Sequence, residues 1–197
     1  MTIEIRQAGE DDREALFRIC LLTSRSGTDG SADYSDPHYP GYVWAVPYLE
    51  LEPAHAFVLA DGGKPIGYVV GAPDTLAFEA DLEHRWWPEL RSRHAASQPR
   101  APSDARVLEY IGAPERTDPA LAARYPAHLH INILPGAQGG GWGRRLIKTE
   151  LESLREAGAP AVHLGVSLTN ERALGFYRHL GFAEIERGEG VTMGMRL

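Results

Sequence analysis

The sequence predicts an α/β fold, and three observations predict it. A two-glycine turn, "DGGK" at residues 61–64, separates the apolar runs "HAFVLA" and "PIGYVVGA", the pattern of an antiparallel β-hairpin. The chain opens on an alternating segment followed by a helical one. Its second half reads strand, glycine loop, helix, strand, helix, strand, with apolar spacing that switches between two and about 3.6 residues.

Each element has a local reason. In "TIEIRQA", Ile3 and Ile5 alternate with polar residues as in a strand, and "EDD" then supplies acidic groups for the start of a helix through "REALFRICLLT". Residues 24–47 hold Gly, Ser, Asp, Pro and aromatic rings without sustained periodicity, so a loop or broken helix is expected there. The hairpin strands should be antiparallel and central. "LAFEADLEHRWWPELRSRH" (76–94) is helix-like until Pro88, where an interruption is expected, and "ASQPRAPSDAR" is a polar connector. A second connector contains a short helix starting near Asp118, with Pro119 in its first turn. The strand "AHLHINIL" places His128, His130 and Asn132 on one face and Leu129, Ile131 and Ile133 on the other. Beyond the glycine loop, Leu146, Ile147, Leu151 and Leu154 recur at helical spacing up to a stop at Gly158. "AVHLGVS" is a strand, "NERALGFYRHLG" a helix ending at Gly181, and "VTMGMRL" a last strand.

Composition bounds the function. The 197 residues, 43% of them hydrophobic, fit one domain with one sizeable core. A net charge of −7 argues against a nucleic-acid footprint, and no apolar run approaches the ~20 residues of a bilayer span. The N-terminus carries no signal-peptide pattern, and the single Cys20 falls in the apolar phase of a helix, so a cytoplasmic protein without a disulfide framework is expected.

The stretch "PGAQGGGWGRRL" (135–146) delivers glycines to a helix N-terminus, where unpaired N–H groups and the helix dipole favour phosphate. The dinucleotide fingerprint fails because its last glycine falls on Arg144 or Leu146, and the P-loop template fails because Trp142 follows Gly141. What remains is Gln138, two residues, Gly141, one residue, Gly143. This Q-x-x-G-x-G pattern resembles the pyrophosphate loop of the GNAT superfamily of acyl-CoA-dependent N-acetyltransferases. "TNERALGFYRHLGF" (169–182) resembles the family's second signature, and "IRQAGEDDREAL" its usual first strand and helix. The resemblance covers nearly the whole chain, with 76–125 as an insertion lacking family motifs. "PYLELEPAHAFVLADGGKPIGYVVGAPDT" (47–75) and "RYPAHLHINIL" further resemble the acetyltransferase-like domains at the C-terminus of O-GlcNAcases, with the glycine loop intact, as in a free-standing bacterial-type relative.

The resemblance implies the GNAT fold, a mixed, mostly antiparallel sheet of six to seven strands with helices on both faces. It implies acetyl-CoA as co-substrate, a primary amine acceptor of small-molecule or peptide type, and a monomer or homodimer. Gln138, Gly139, Gly140, Gly141, Trp142, Gly143 and Arg144 would hold the pyrophosphate, Arg145 being an alternative basic residue. Asn170, Ala173, Phe176 and Tyr177 would line the pantetheine arm. The acetyl carbonyl would lie at a bulged end of the "HINIL" strand, where the N–H of Ile133 or Leu134 donates to the oxyanion. Tyr177 would protonate the departing thiolate, the alternative being a core tyrosine, and Asn170 would also serve as N-cap. For the general base, His128 and His130 share a strand face and imidazole titrates in the useful range, although strand histidines are often only structural. Asp74 is a further candidate for holding the acceptor amine. Trp44, Trp86, Trp87, Tyr34, Tyr39 and Tyr42 either line an acceptor pocket or pack loops onto the core. Two rival functions are a non-catalytic recognition module and a hydrolase whose metal is held by His128, His130 and His163; no metal is expected.

Overall fold

The computed structural model describes residues 2–197. Seven strands form one sheet in the order β1-β2-β3-β4-β5-β7-β6. They are β1 (Ile3–Gln7), β2 (Ala56–Asp61), β3 (Lys64–Ala72), β4 (Ala127–Ile133), β5 (Ala161–Ser167), β6 (Ala183–Arg187) and β7 (Gly190–Arg196). All neighbours are antiparallel except β4 and β5, which are parallel. The hairpin is therefore β2–β3, with Gly62 and Gly63 at φ +55° and +83° as its turn requires, and both strands are interior. Strand β6, "AEIER", escapes periodicity because it is a short edge strand with most of its side chains in solvent.

Helices cover both faces. On one side lie α1 (Arg13–Leu21), α2 (Tyr39–Trp44), α3 (Val46–Leu51), α4 (Thr75–Asp81), α5 (Trp87–His94) and α6 (Asp104–Gly112), around a core of Leu16, Ile19, Val46, Tyr68, Val70, Phe78, Trp87 and Val107. On the other, α8 (Trp142–Glu156) and α9 (Glu171–His179) bury Leu146, Ile147, Leu154 and Leu174 against Val69, Leu129, Val162 and Met193. The short α7 (Pro119–Arg124) begins where Asp118 caps the Ala120 N–H.

The insertion corrects one expectation. Pro88 does not interrupt the helix over 76–94: a π-type turn at Leu82–Trp86 joins α4 to α5, and Pro88 sits in the first turn of α5, where no intrahelical N–H is needed. Residues 24–47, expected to be a loop or broken helix, are a loop up to His38 followed by α2, with α3 beginning after Ala45. Asp104, fully buried, ties this insertion to the N-terminal loop by accepting from the amides of Ser35, Arg100 and Ala101. Burial works against its charge, and those bonds outweigh it, leaving the carboxyl below its ordinary pKa. Among the described residues no helix is long and apolar enough to cross a membrane.

Candidate active site

Strands β4 and β5 pair only at Ala127↔Val162 and His128↔His163, and then part. The Leu134 N–H donates to the Ile66 carbonyl at 2.9 Å, which sets the hydrogen-bonding phase of the β3–β4 ladder. In an antiparallel ladder alternate residues aim both backbone groups at one neighbour. His128, His130, Asn132 and Leu134 thus bond toward β3, whereas Ile131 and Ile133 turn theirs into the opening left by β5. Of the two oxyanion donors expected from sequence, Leu134 is committed to the ladder and Ile133 is not. The bulge expected here is absent: the register runs unbroken from Gly67↔Ile133 to Ala72↔His128. The gap comes from divergence of β5, for which β4 needs no extra residue.

The glycine loop closes one end of this opening. Gly139, Gly140 and Gly141 have φ of +94°, +59° and +79°, three consecutive left-handed residues that side chains would strain. A Cβ on Gly139 or Gly141 would project into space free of protein within 4 Å, so the loop forms an open cradle. The N–H groups of Gly139, Gly140, Gly141, Gly143 and Arg144 find no backbone acceptor among the described residues, as expected ahead of α8. An anion such as a pyrophosphate fits there. Gly143 has a different reason: its position lies against the Phe176 ring, where a Cβ would come within 3.2 Å. Gln138 braces the loop, its Nε2 donating to the carbonyls of Ile133 (2.9 Å) and Gly27 (3.2 Å). Arg145 lies 4.6 Å over the Trp142 ring, while Arg144 is exposed at the cradle.

Helix α9 forms a second wall. Asn170 caps it by accepting from the Ala173 N–H at 3.1 Å, which leaves the Asn170 amide nitrogen uncommitted. Tyr177 packs against Phe176 and Phe182, and its hydroxyl has no partner among the described residues. Burial raises its pKa, so it stays protonated.

The opposite face of β4 carries the polar side chains. His128 is bonded at both nitrogens: Nε2 to Tyr48 Oη at 2.7 Å and Nδ1 to Thr75 Oγ1 at 2.8 Å. Thr75 gives its hydroxyl proton to the Pro126 carbonyl (2.7 Å), so it must accept from Nδ1–H, and Nε2 must accept from Tyr48. His163 is also engaged, by the Tyr125 carbonyl at 2.9 Å. His130 stands beside Tyr48 and His128, with ring centroids 5.4 Å and 6.1 Å away, and makes no side-chain hydrogen bond among the described residues. Burial, then the neighbouring His163, pushes His130 down to about 4, and burial with its two histidine neighbours pushes His128 well below 6.5. Neither imidazole titrates near neutral pH, contrary to expectation, because apolar packing and adjacent imidazoles disfavour the cation. Asp74 is exposed and serves as N-cap of α4, accepting from the Ala77 N–H.

The rings expected either to line a pocket or to pack loops are mostly packed. Tyr39, Tyr42 and Trp87 are buried in the core, and Trp86 donates to the Tyr42 carbonyl. Among the described residues, no three His, Cys, Asp or Glu side chains are placed to hold a metal ion. Tyr48, Thr75, Tyr68 and Glu150 were missed by sequence reasoning. Glu150 alone left a signal, since it falls in the 146–150–154 stripe of α8 that should be apolar.

The model of the acetyltransferase (GNAT) family matches residues 22–182. The crystal structure of SsHAT superposes with a TM-score of 0.92 at 42% identity, covering 100% of this chain and 98% of that one. The PaiA N-acetyltransferase from Thermoplasma acidophilum, solved in complex with coenzyme A, shares the fold at a TM-score of 0.61 and 14% identity, covering 100% of both chains. Protein O-GlcNAcase of Rattus norvegicus is 23% identical over 189 residues, which is 94% of this chain and 20% of that protein, so the chain spans about a fifth of this relative's length. A strand pair opened beside a glycine cradle is thus matched by the family model over most of the sequence, and this chain belongs to the acetyltransferase (GNAT) family of acyltransferases.

Proposed function

We propose that the protein is an acetyl-CoA-dependent N-acetyltransferase that carries an acetyl group to a primary amine by direct attack in a ternary complex. One observation carries this reading: the backbone of Ile131 and the N–H of Ile133, unpaired among the described residues, lie in an opening between an anion cradle and a wall holding one imidazole without a partner among those residues. The cradle and Arg144 hold the pyrophosphate, and Asn170, Ala173 and Phe176 border the pantetheine arm. The Ile133 N–H donates to the oxyanion that develops as the amine attacks the thioester carbon. Tyr177, kept protonated by burial, supplies the proton for the thiolate. His130, neutral throughout the physiological range, accepts a hydrogen bond from the amine and orients it, while the amine's proton leaves to solvent. His128 is not free for that duty, since both its nitrogens are bonded.

Binding of acetyl-CoA tests the cradle directly. Micromolar affinity, about −8 kcal/mol, is expected by calorimetry, with a matching rise in melting temperature. Gly141→Asp should abolish most of it, because a side chain at φ +79° strains the loop and its carboxylate faces the pyrophosphate. Normal binding by that variant would refute the assignment of the loop.

A further inference from the structure

Three polar side chains share the acceptor face of β4, and the structure treats the middle one differently. His128 is locked by Tyr48 and Thr75. Asn132 is locked by Tyr68, its cross-strand partner on β3, through an Nδ2–H to Tyr68 Oη bond of 2.6 Å. Tyr68 is fully buried, and its hydroxyl oxygen accepts from Asn132. The Asn132 amide nitrogen thus faces Tyr68, and its Oδ1 has no partner among the described residues. His130, one strand period away, also has no side-chain partner among the described residues. Residues two apart on a strand lie about 6.6 Å apart, within reach of one small group bonded to both side chains.

We propose that Asn132 is a specificity-determining residue of the acceptor site, its Oδ1 and the His130 imidazole together receiving two N–H bonds from one primary amine. An ammonium or amine carries two or three donors and can satisfy both acceptors. An alcohol or thiol carries a single hydrogen and leaves one of them unpaired, which a partly buried site penalises. Tyr68 acts through Asn132 as a positioning residue. This inference rests on the acetyltransferase reading and names what that site selects.

The test uses the full chain saturated with coenzyme A, with n-hexylamine and 1-hexanol as probes. Nitrogen-15 NMR should show the Asn132 side-chain amide and the His130 ring shifting with hexylamine and not with hexanol. In acetyl transfer followed by thiol release, Asn132→Leu should raise KM for hexylamine about tenfold, with a smaller effect on kcat and unchanged coenzyme A affinity. Asn132→Asp, which keeps an acceptor oxygen, should restore a low KM. Tyr68→Phe keeps the ring and frees the amide to turn, so KM should rise by about threefold while the fold persists. Equal response to amine and alcohol, no response to the amine in protein that binds coenzyme A, or an unchanged KM in Asn132→Leu each overturn this inference alone. Failure of the wild-type chain to bind acetyl-CoA overturns both it and the proposed function.

Discussion

The two faces of the central sheet bury ionisable groups in opposite condition. On the face packed by α3 and α4, His128 has a partner at each nitrogen, and the chain Tyr48–His128–Thr75–Pro126 leaves no proton unplaced. On the face under α8, Glu150 is fully buried above Gly71 with neither carboxyl oxygen bonded among the described residues. Gly71 makes room for it, since any Cβ there would collide with Glu150 Oε1. Both groups are held uncharged by burial, His128 far below its ordinary pKa and Glu150 up to about 8. The bonded group has one orientation and serves to order its neighbours, whereas the unbonded one is held by burial alone; by linkage the first weakens the fold as pH falls below 6.5 and the second as pH rises above 4.5.

The largest expected effect lies on the α9 side of the opening. If the Tyr177 hydroxyl protonates the thiolate, Tyr177→Phe should lower the single-turnover rate by about 10²- to 10⁴-fold, with acetyl-CoA affinity and melting temperature nearly unchanged. A side chain that only packs beside Phe176 and Phe182 would leave that rate intact, and the proton would then come from water or the attacking amine.

Next in size is the pH dependence written into Glu150. Its folded pKa, about 8, lies above the ordinary 4.5, so the folded state binds a proton that the unfolded chain has released. That contribution is whole below about pH 4.5 and is lost as pH rises through 8, at up to roughly 1.4 kcal/mol per pH unit. Glu150→Gln, neutral at every pH, should remove the decline. Denaturant unfolding of both proteins from pH 5 to 9 checks this: a pH-independent stability difference would show that Glu150 is already ionised or solvated in the fold.

The smallest effect is expected from Tyr48→Phe, which keeps the ring stacked 4.4 Å from Phe78 and strips His128 Nε2 of its donor. A buried acceptor left unpaired costs about 1–3 kcal/mol. The melting temperature should fall accordingly, and nitrogen-15 NMR should report a changed His128 tautomer balance. Unaltered stability and tautomer would mean that water replaces the hydroxyl and that the lock is not needed.

Legibility followed the same division between faces. The glycines of the cradle, the Asn170 cap, the Gly158 and Gly181 stops and the alternation of β4 are local properties, visible as residue types at fixed offsets. The interrupted-helix expectation at Pro88 failed because a π-type turn repositions that proline at a helix start, where its missing N–H costs nothing. The partners of His128 come from 80 and 53 residues away, and the Tyr68–Asn132 bond spans 64, so no local pattern could pair them.

By itself the sequence determined the element order of the second half apart from β6, the antiparallel hairpin, the glycine loop ahead of α8 and the family to which the chain belongs. Those depend on backbone conformations that glycine, proline and apolar period impose over a few residues. The tertiary structure decided which groups in the opening remain free: Leu134 lost its N–H to Ile66 while Ile133 kept its own, and His128 was locked while His130 was not. The physical reason is that a polar group's availability depends on whichever partners the fold brings within hydrogen-bonding distance. Its acidity depends on how much water the packing removes, and neither quantity is a property of the residue alone.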